Sequence, residues 1–317
     1  GALMGTGLLS ASFLTALFAS GVRQSIPLIY GSLGDAVSER AGVMGISLEG
    51  EMLFGAFFSY LVALRTGSLW LGVLAGALAG ILSSLIVAVW SVLLRQDQSI
   101  IGIMFNILAV GFTNFLNRMI FGTSNANITL EIFQPLAIPG LSRIPVIGEI
   151  FFHQNILAYL SVLLAVAIFW VLRRTKLGLQ LTAVGENPKA SQASGIRVYR
   201  FRILAYMFCG CMAGIAGASL TLGSVGTFTE AISAGRGFIC LAIVILSRWN
   251  PLVAVAASFG FGSIQALQIR LQVQGSPLPY QVFVALPYLV TILALAIGGR
   301  NIRAPRELGV PFDKESR

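Results

Sequence analysis

Long apolar runs separated by short polar breaks fill most of this chain. The pattern predicts membrane spans near 8–34, 43–64, 69–94, 101–121, 155–172, 202–223, 236–248, 251–269 and 281–298. Most of these runs hold about 20 residues, the length at which a helix crosses the hydrocarbon core of a bilayer. The first contains Pro27, which is expected to kink or break it. The seventh is short enough to be a half-helix. Runs such as 69–94 are apolar throughout, whereas a lipid-facing barrel strand alternates polar and apolar positions. The expected fold is therefore an all-α, polytopic helical bundle of about nine spans, with residues 1–317 forming one transmembrane domain. No Lys or Arg precedes the first run, so the basic n-region of a signal peptide is not expected.

Composition agrees with that reading. The chain is 56% hydrophobic and 10% charged, with a mean hydropathy of +0.85, where a soluble domain carries about 25% charged residues. Glycine is abundant at 35 residues, and Gly72, Gly76 and Gly80 form a four-residue repeat of the kind that lets helices approach closely. Cys209, Cys211 and Cys240 fall in predicted spans without a metal or disulfide pattern and read as small buried hydrophobes.

Charge then sets orientation. Arg40, Arg95, the 173–202 loop, Arg248 and the 299–317 tail together hold most of the 21 basic residues. The positive-inside rule puts them in the cytoplasm, with the N-terminus outside, the C-terminus inside and an outer loop at 122–154. The net charge of +9 follows from this topology and calls for no nucleic-acid partner.

Two sets of polar residues stand out within the spans. Glu49 and Glu51 lie in the glycine-punctuated stretch 38–57, and a charge near a span centre costs about 2.5–3.5 kcal/mol on insertion scales. Such groups line a solute pathway, or they bond backbone that the glycines leave free; both readings stand. Asn106, Asn114 and Asn117 approximate one helix face, and Gln265 and Gln268 lie in the eighth span. These amides serve as interhelical glue or as hydrogen-bonding partners of a polar, uncharged solute. The candidate pathway is thus Glu49, Glu51, Asn106, Asn114, Gln265 and Gln268.

The segment TAVGENPKASQASGI, 182–196, is of another kind. It predicts a helix of about seven residues with Asn187 as N-cap, Pro188 at the first helical position and Gly195 just beyond its end. It is too short to cross a bilayer and marginal alone in water.

Several chemistries are missing. Lys176, Lys189 and Lys314 are the only lysines and none follows a glycine, so the chain has no P-loop. His153, the lone histidine, falls in the outer loop, and no catalytic or metal-ligand set can be assembled around it. The Asp/His relays that proton-coupled carriers often place within their spans are also not expected here.

Residues 173–220 resemble the cytoplasmic loop and following helix of ATP-binding-cassette importer permeases of the ribose, branched-chain amino acid and nucleoside type. The family pattern matches at Thr175, Gly178, Ala183, Gly185, Asn187, Ala190, Ser194, Gly195 and Ile196, with Ser191 where a second alanine is usual. Residues 26–57 resemble the nucleoside branch at Pro27, Leu28, Glu39, Arg40, Gly42, Val43, Ile46, Glu49 and Gly50. They depart from it at Gly45, Ser47 and Glu51, where that branch has Asn, Gly and Met. Residues 138–155 also resemble that branch's outer loop.

The resemblance implies a bacterial inner-membrane importer subunit that switches by alternating access, for nucleosides or else simple sugars or branched-chain amino acids. The short helix becomes a coupling helix, with Gly185, Glu186, Asn187, Pro188, Lys189, Ala190 and Ser191 docking on a separate ATPase. Implied partners are ATP-binding subunits carrying the ATP and Mg, a second permease, an extracytoplasmic solute-binding protein and membrane lipid. No cofactor is implied in this chain. A stand-alone carrier or channel is the reading from a different class.

Overall fold

The computed structural model describes residues 11–122, 128–137, 147–273, 280–298 and 303–313. The described residues form twelve α-helices and one two-stranded ribbon. In chain order these are α1 (Ala11–Arg40), α2 (Leu48–Thr66), α3 (Leu69–Ala88, extended by a π turn at Val89–Leu93) and α4 (Gln98–Phe121). Then follow β1 (Leu136–Ala137), α5 (Ile147–Phe151), β2 (His153–Gln154), α6 (Ile156–Arg174), α7 (Lys176–Glu186) and α8 (Pro188–Ala193). The chain continues with α9 (Val198–Leu220, with a π turn at Thr221–Val225), α10 (Arg236–Leu246), α11 (Pro251–Val273) and α12 (Tyr280–Gly298).

Among the described residues each of the nine apolar runs contains a helix, the second beginning only at Leu48. Five helices are long and apolar enough to cross a membrane: Leu69–Leu93, Gln98–Phe121, Ile156–Arg174, Val198–Val225 and Pro251–Val273. Their outward faces are apolar, with Leu74, Leu78 and Leu82 on α3 and Ile107 and Phe115 on α4 all exposed. This is the surface that hydrocarbon solvates. The short seventh run is α10, at 11 residues.

The first span ends later than its apolar run predicts. Helix α1 passes through Pro27 unbroken and runs beyond residue 34 to Arg40. It carries Asp35 and Glu39, which are 0% and 3% exposed, into the interior. The apolar run ends there because these side chains turn toward protein rather than lipid, so hydropathy falls while the helix goes on.

Helix α9 lies at the centre, packed on α1, α2 and α3, while α1 also carries α11. Glycine makes that centre dense. A Cβ on Gly80 would overlap the Gly210 carbonyl, one on Gly214 the Gly76 carbonyl, and one on Gly76 would come within 3.0 Å of the Gly55 carbonyl and 3.1 Å of that of Gly214. Gly76 and Gly80 therefore face Gly55, Gly210 and Gly214 backbone to backbone, while Gly72 faces the Ser59 carbonyl and Leu222. Gly80→Val should lower the melting temperature of the purified protein by the equivalent of about 1–3 kcal/mol, because the backbone at Gly210 has nowhere to retreat. Gly111→Val, at an exposed glycine with nothing within 4 Å, should leave it unchanged. Equal melting temperatures for the two variants would refute close packing at Gly80.

Loops close the bundle at both ends. At one, the Leu130 amide donates to Gly226 (2.7 Å), the Phe133 amide donates to Leu222 (3.0 Å), and β1 pairs antiparallel with β2. Residues 123–127 and 138–146 of the expected outer loop lie outside the described residues, as do 299–302 and 314–317 of the expected tail. At the other end, residues 303–313 lie over the junction of α1 with α7, and an Arg95–Asp313 ion pair of 2.8 Å fastens them.

Candidate functional site

The short helix has the caps its sequence predicts. The Asn187 Oδ1 accepts from the Ala190 amide at 3.0 Å, Pro188 is the first helical residue, and Gly195 has φ +85°. Helix α8 spans six residues, and its seating comes from the chain before it. Thr175 Oγ1 accepts from the Gly178 amide at 3.3 Å and starts α7. At the far end of α7, a Cβ on Gly185 would overlap the Arg40 carbonyl, so only glycine permits α7 to meet the end of α1 this closely.

Residues 303–313 seal the joint. The Glu307 amide donates to the Gly185 carbonyl (3.0 Å), and the Gly309 amide donates to that of Gly42 (3.2 Å). The buried Arg202 donates from Nη1 to the Val310 carbonyl (2.8 Å), and the Tyr199 hydroxyl to that of Phe312 (3.0 Å). Of the seven candidate coupling residues, Gly185, Pro188 and Ser191 are buried against this joint. Glu186, Asn187, Lys189 and Ala190 are exposed.

The six candidate pathway residues do not form one site. Glu49 holds a turn. Its Oε1 accepts from the Ser233 hydroxyl (2.5 Å) and the Gly235 amide (2.8 Å), and its Oε2 from the Gly237 amide (2.7 Å). The carboxylate thus sits on the N-terminus of α10, where free amides and the helix dipole favour negative charge. Asn106 braces the chain just before α2: its Oδ1 accepts from the Gly50 amide and its Nδ2 donates to the Ile46 carbonyl, both at 2.8 Å. Glu51, wholly buried, accepts from the Ser47 hydroxyl at 2.7 Å, and Ser47 also bonds the Tyr206 hydroxyl. The second oxygen of Glu51 has no partner. Asn114 lies on α4 with its Oδ1 buried and unpartnered.

Gln265 and Gln268 do come together. With Ala234, Arg236, Pro287 and Tyr288 they line a cavity of about 180 Å³ among α10, α11 and α12. The Gln265 Oε1 is buried and unpartnered. Arg236 donates to the Ile232 and Ser233 carbonyls (3.1 and 3.2 Å) and to Gln24 on α1 (3.3 Å), leaving its buried Nε without a partner. The Tyr288 hydroxyl donates to Ala234 at 3.2 Å. Glu49 fixes the 233–237 turn, and that turn carries Arg236 to the cavity wall.

Sequence reading passed over Arg236, taking it only as the first residue of the seventh apolar run; the signal was its place between two glycines. It also passed over Asp35, which lies against Gly45 with neither carboxylate oxygen hydrogen-bonded. Among the described residues no group of His, Cys, Asp and Glu is arranged to hold a metal ion.

Close-packed apolar helices with buried amides, joined to a small capped helix, are the build of a polytopic helical membrane protein. Residues 17–295 match the family described as branched-chain amino acid transport system, permease component, and the chain belongs to that family. The guanosine ABC transporter permease protein NupQ of Bacillus subtilis is 37% identical over 303 residues, covering 92% of this chain and 94% of that protein. The nucleoside ABC transporter permease protein NupC of Lactococcus lactis is likewise 37% identical, over 299 residues and the same shares of each chain. A putative glucose ABC transporter permease protein of Haloferax volcanii, TsgC13, is 34% identical over 82% of this chain and 79% of its own. No solved structure matches the chain. The protein is a multi-pass permease subunit of the ATP-binding-cassette class, in which ATP hydrolysis belongs to a separate subunit.

Proposed function

We propose that this permease imports nucleosides across a bacterial inner membrane. The observation that carries the reading is the 37% identity, over nine-tenths of the chain, to permeases named for guanosine and for nucleosides. The cavity adds to it. Gln265, Gln268, Arg236 and Tyr288 offer hydrogen-bond donors and acceptors, and no carboxylate among the described residues lines its wall, which suits a polar, uncharged solute.

In this proposal all nine apolar helices insert, the N-terminus lies outside and the C-terminus inside. Supporting that orientation, Arg40, the 173–202 segment and the 303–313 segment gather at one end of the bundle. The exposed face of α8 docks on an ATP-binding subunit that holds ATP and Mg, a second permease completes the pathway, and an extracytoplasmic binding protein delivers the solute. ATP-driven closure of the ATPase pair moves α8, and the permease pair alternates its access.

The relative named for glucose favours a second reading, a simple-sugar importer. Reconstitution with the ATPase and binding protein in liposomes separates the two. Labelled guanosine should enter in an ATP-dependent manner, with uptake competed by other nucleosides and not by glucose or leucine. Uptake of glucose with none of guanosine would overturn the nucleoside assignment.

A further inference from the structure

A cavity of about 470 Å³ opens at the same end of the bundle as α7 and α8, between α6 and the start of α11. Arg40, Arg173 and Arg248 line it. The two ion pairs found among the described residues use Arg95 and Arg118, so none of these three guanidiniums has a carboxylate partner there. Arg40 donates once, to the Trp249 carbonyl at 3.0 Å, and its Nε is buried without a partner. Arg40 and Arg173 are close enough to repel each other. Glu39, one residue before Arg40, is bonded to the Trp249 indole at 2.6 Å and not to the arginines.

Two further features make the cavity more positive and more fixed. Helix α11, 23 residues long, begins on its wall at Asn250 and Pro251, with the Asn250 Oδ1 accepting from the Leu252 amide at 3.1 Å. Its N-terminus contributes partial positive charge from the helix dipole, Pro251 having no amide and that of Leu252 being taken by Asn250. Arg248 and Trp249 are successive non-glycine residues at φ +53° and +57°, a costly backbone that turns Arg248 to this wall. A site that gathers three like charges and a helix N-terminus with no counter-charge is built for an anion.

The walls say which anion. Phe169, stacked under Arg173 at 4.8 Å, lines the cavity with Leu246 and Val253, and the outward face nearby carries exposed Val166, Trp170 and Leu252. A free phosphate has no use for that apolar border; a lipid does. We propose that Arg40, Arg173 and Arg248, with the N-terminus of α11, hold the phosphate of an anionic phospholipid whose acyl chains lie along the groove between α6 and α11. Basic pockets between transmembrane helices bind such headgroups elsewhere, at about 1 kcal/mol for each basic residue near the surface.

The test uses the purified permease with its ATPase subunits in detergent, titrated with short-chain phosphatidylglycerol, short-chain phosphatidylcholine or inorganic phosphate while the melting temperature is read. Phosphatidylglycerol should raise it saturably and phosphatidylcholine should not. Arg173→Gln with Arg248→Asn should raise the half-saturating concentration about fivefold for each arginine removed, asparagine being tolerated at positive φ. If the double variant does not fold, Arg173→Gln alone, at an exposed position, should show its own fivefold loss, and Arg173→Lys should restore most of it. The proposal is overturned by an equal response to the two lipids, by an unchanged titration in the arginine variants, or by inorganic phosphate acting as strongly as the anionic lipid.

Discussion

Ala190→Trp is expected to abolish ATP-driven uptake, by tenfold or more, in a permease that still inserts and melts normally. Ala190 is exposed on α8, and its amide is already satisfied by Asn187. The added indole therefore projects from an exposed position and, under the coupling proposal, occupies the space that an ATPase cleft would fill. Loss of a cap at Asn187→Ala weakens the same helix by about 0.5–2 kcal/mol, so that variant should be partly impaired. Uptake, melting temperature and the amount of ATPase that co-purifies are measured on one preparation. Normal uptake with a full complement of ATPase in both variants would remove the coupling role from α8.

Glu49→Gln carries the second large effect. The carboxylate accepts three hydrogen bonds, two of them from α10's opening amides. A glutamine keeps one oxygen and turns an NH2 group toward either the Gly237 amide or the Ser233–Gly235 pair, so donor faces donor in a buried place. That mismatch costs about 1–3 kcal/mol. The 233–237 turn is then released and Arg236 with it, so the melting temperature and uptake should fall together. A variant that melts normally and fails to transport would instead make Glu49 part of the solute pathway.

What could be read from sequence here was what is local. Asn187, Pro188 and Gly195 announce α8 because caps are decided within a few residues, and the long apolar runs announce helices because burial and lipid both select apolar composition. Asp35 and Glu39 were left outside the first helix because an average over neighbours cannot tell a polar side chain facing protein from one ending a span. Asn106 and Gln265 looked alike as buried amides. One spends both its ends on the backbone of Ile46 and Gly50, and the other leaves its oxygen open beside Gln268 and Arg236. Only the fold separates glue from lining. The three departures from the nucleoside pattern also acquire a common address. Ser47 bonds Glu51, and a Cβ on Gly45 would collide with Asp35, so a larger residue at 45 is incompatible with this placement of Asp35. These changes adjust one buried polar cluster.

Helix α1 has a mechanical consequence. Its 30 residues make a shaft about 45 Å long at 1.5 Å per residue. One end meets α7, where Gly185 rests on the Arg40 carbonyl. Near its middle, 16 residues back from Arg40, Gln24 accepts from Arg236 at the cavity wall. Under the proposed coupling role, a stroke delivered at α8 would reach that cavity through a single piece of backbone. Pro27, which lacks an amide to complete its rung of the helix, lies three residues from Gln24 and gives the shaft its most compliant point beside the load.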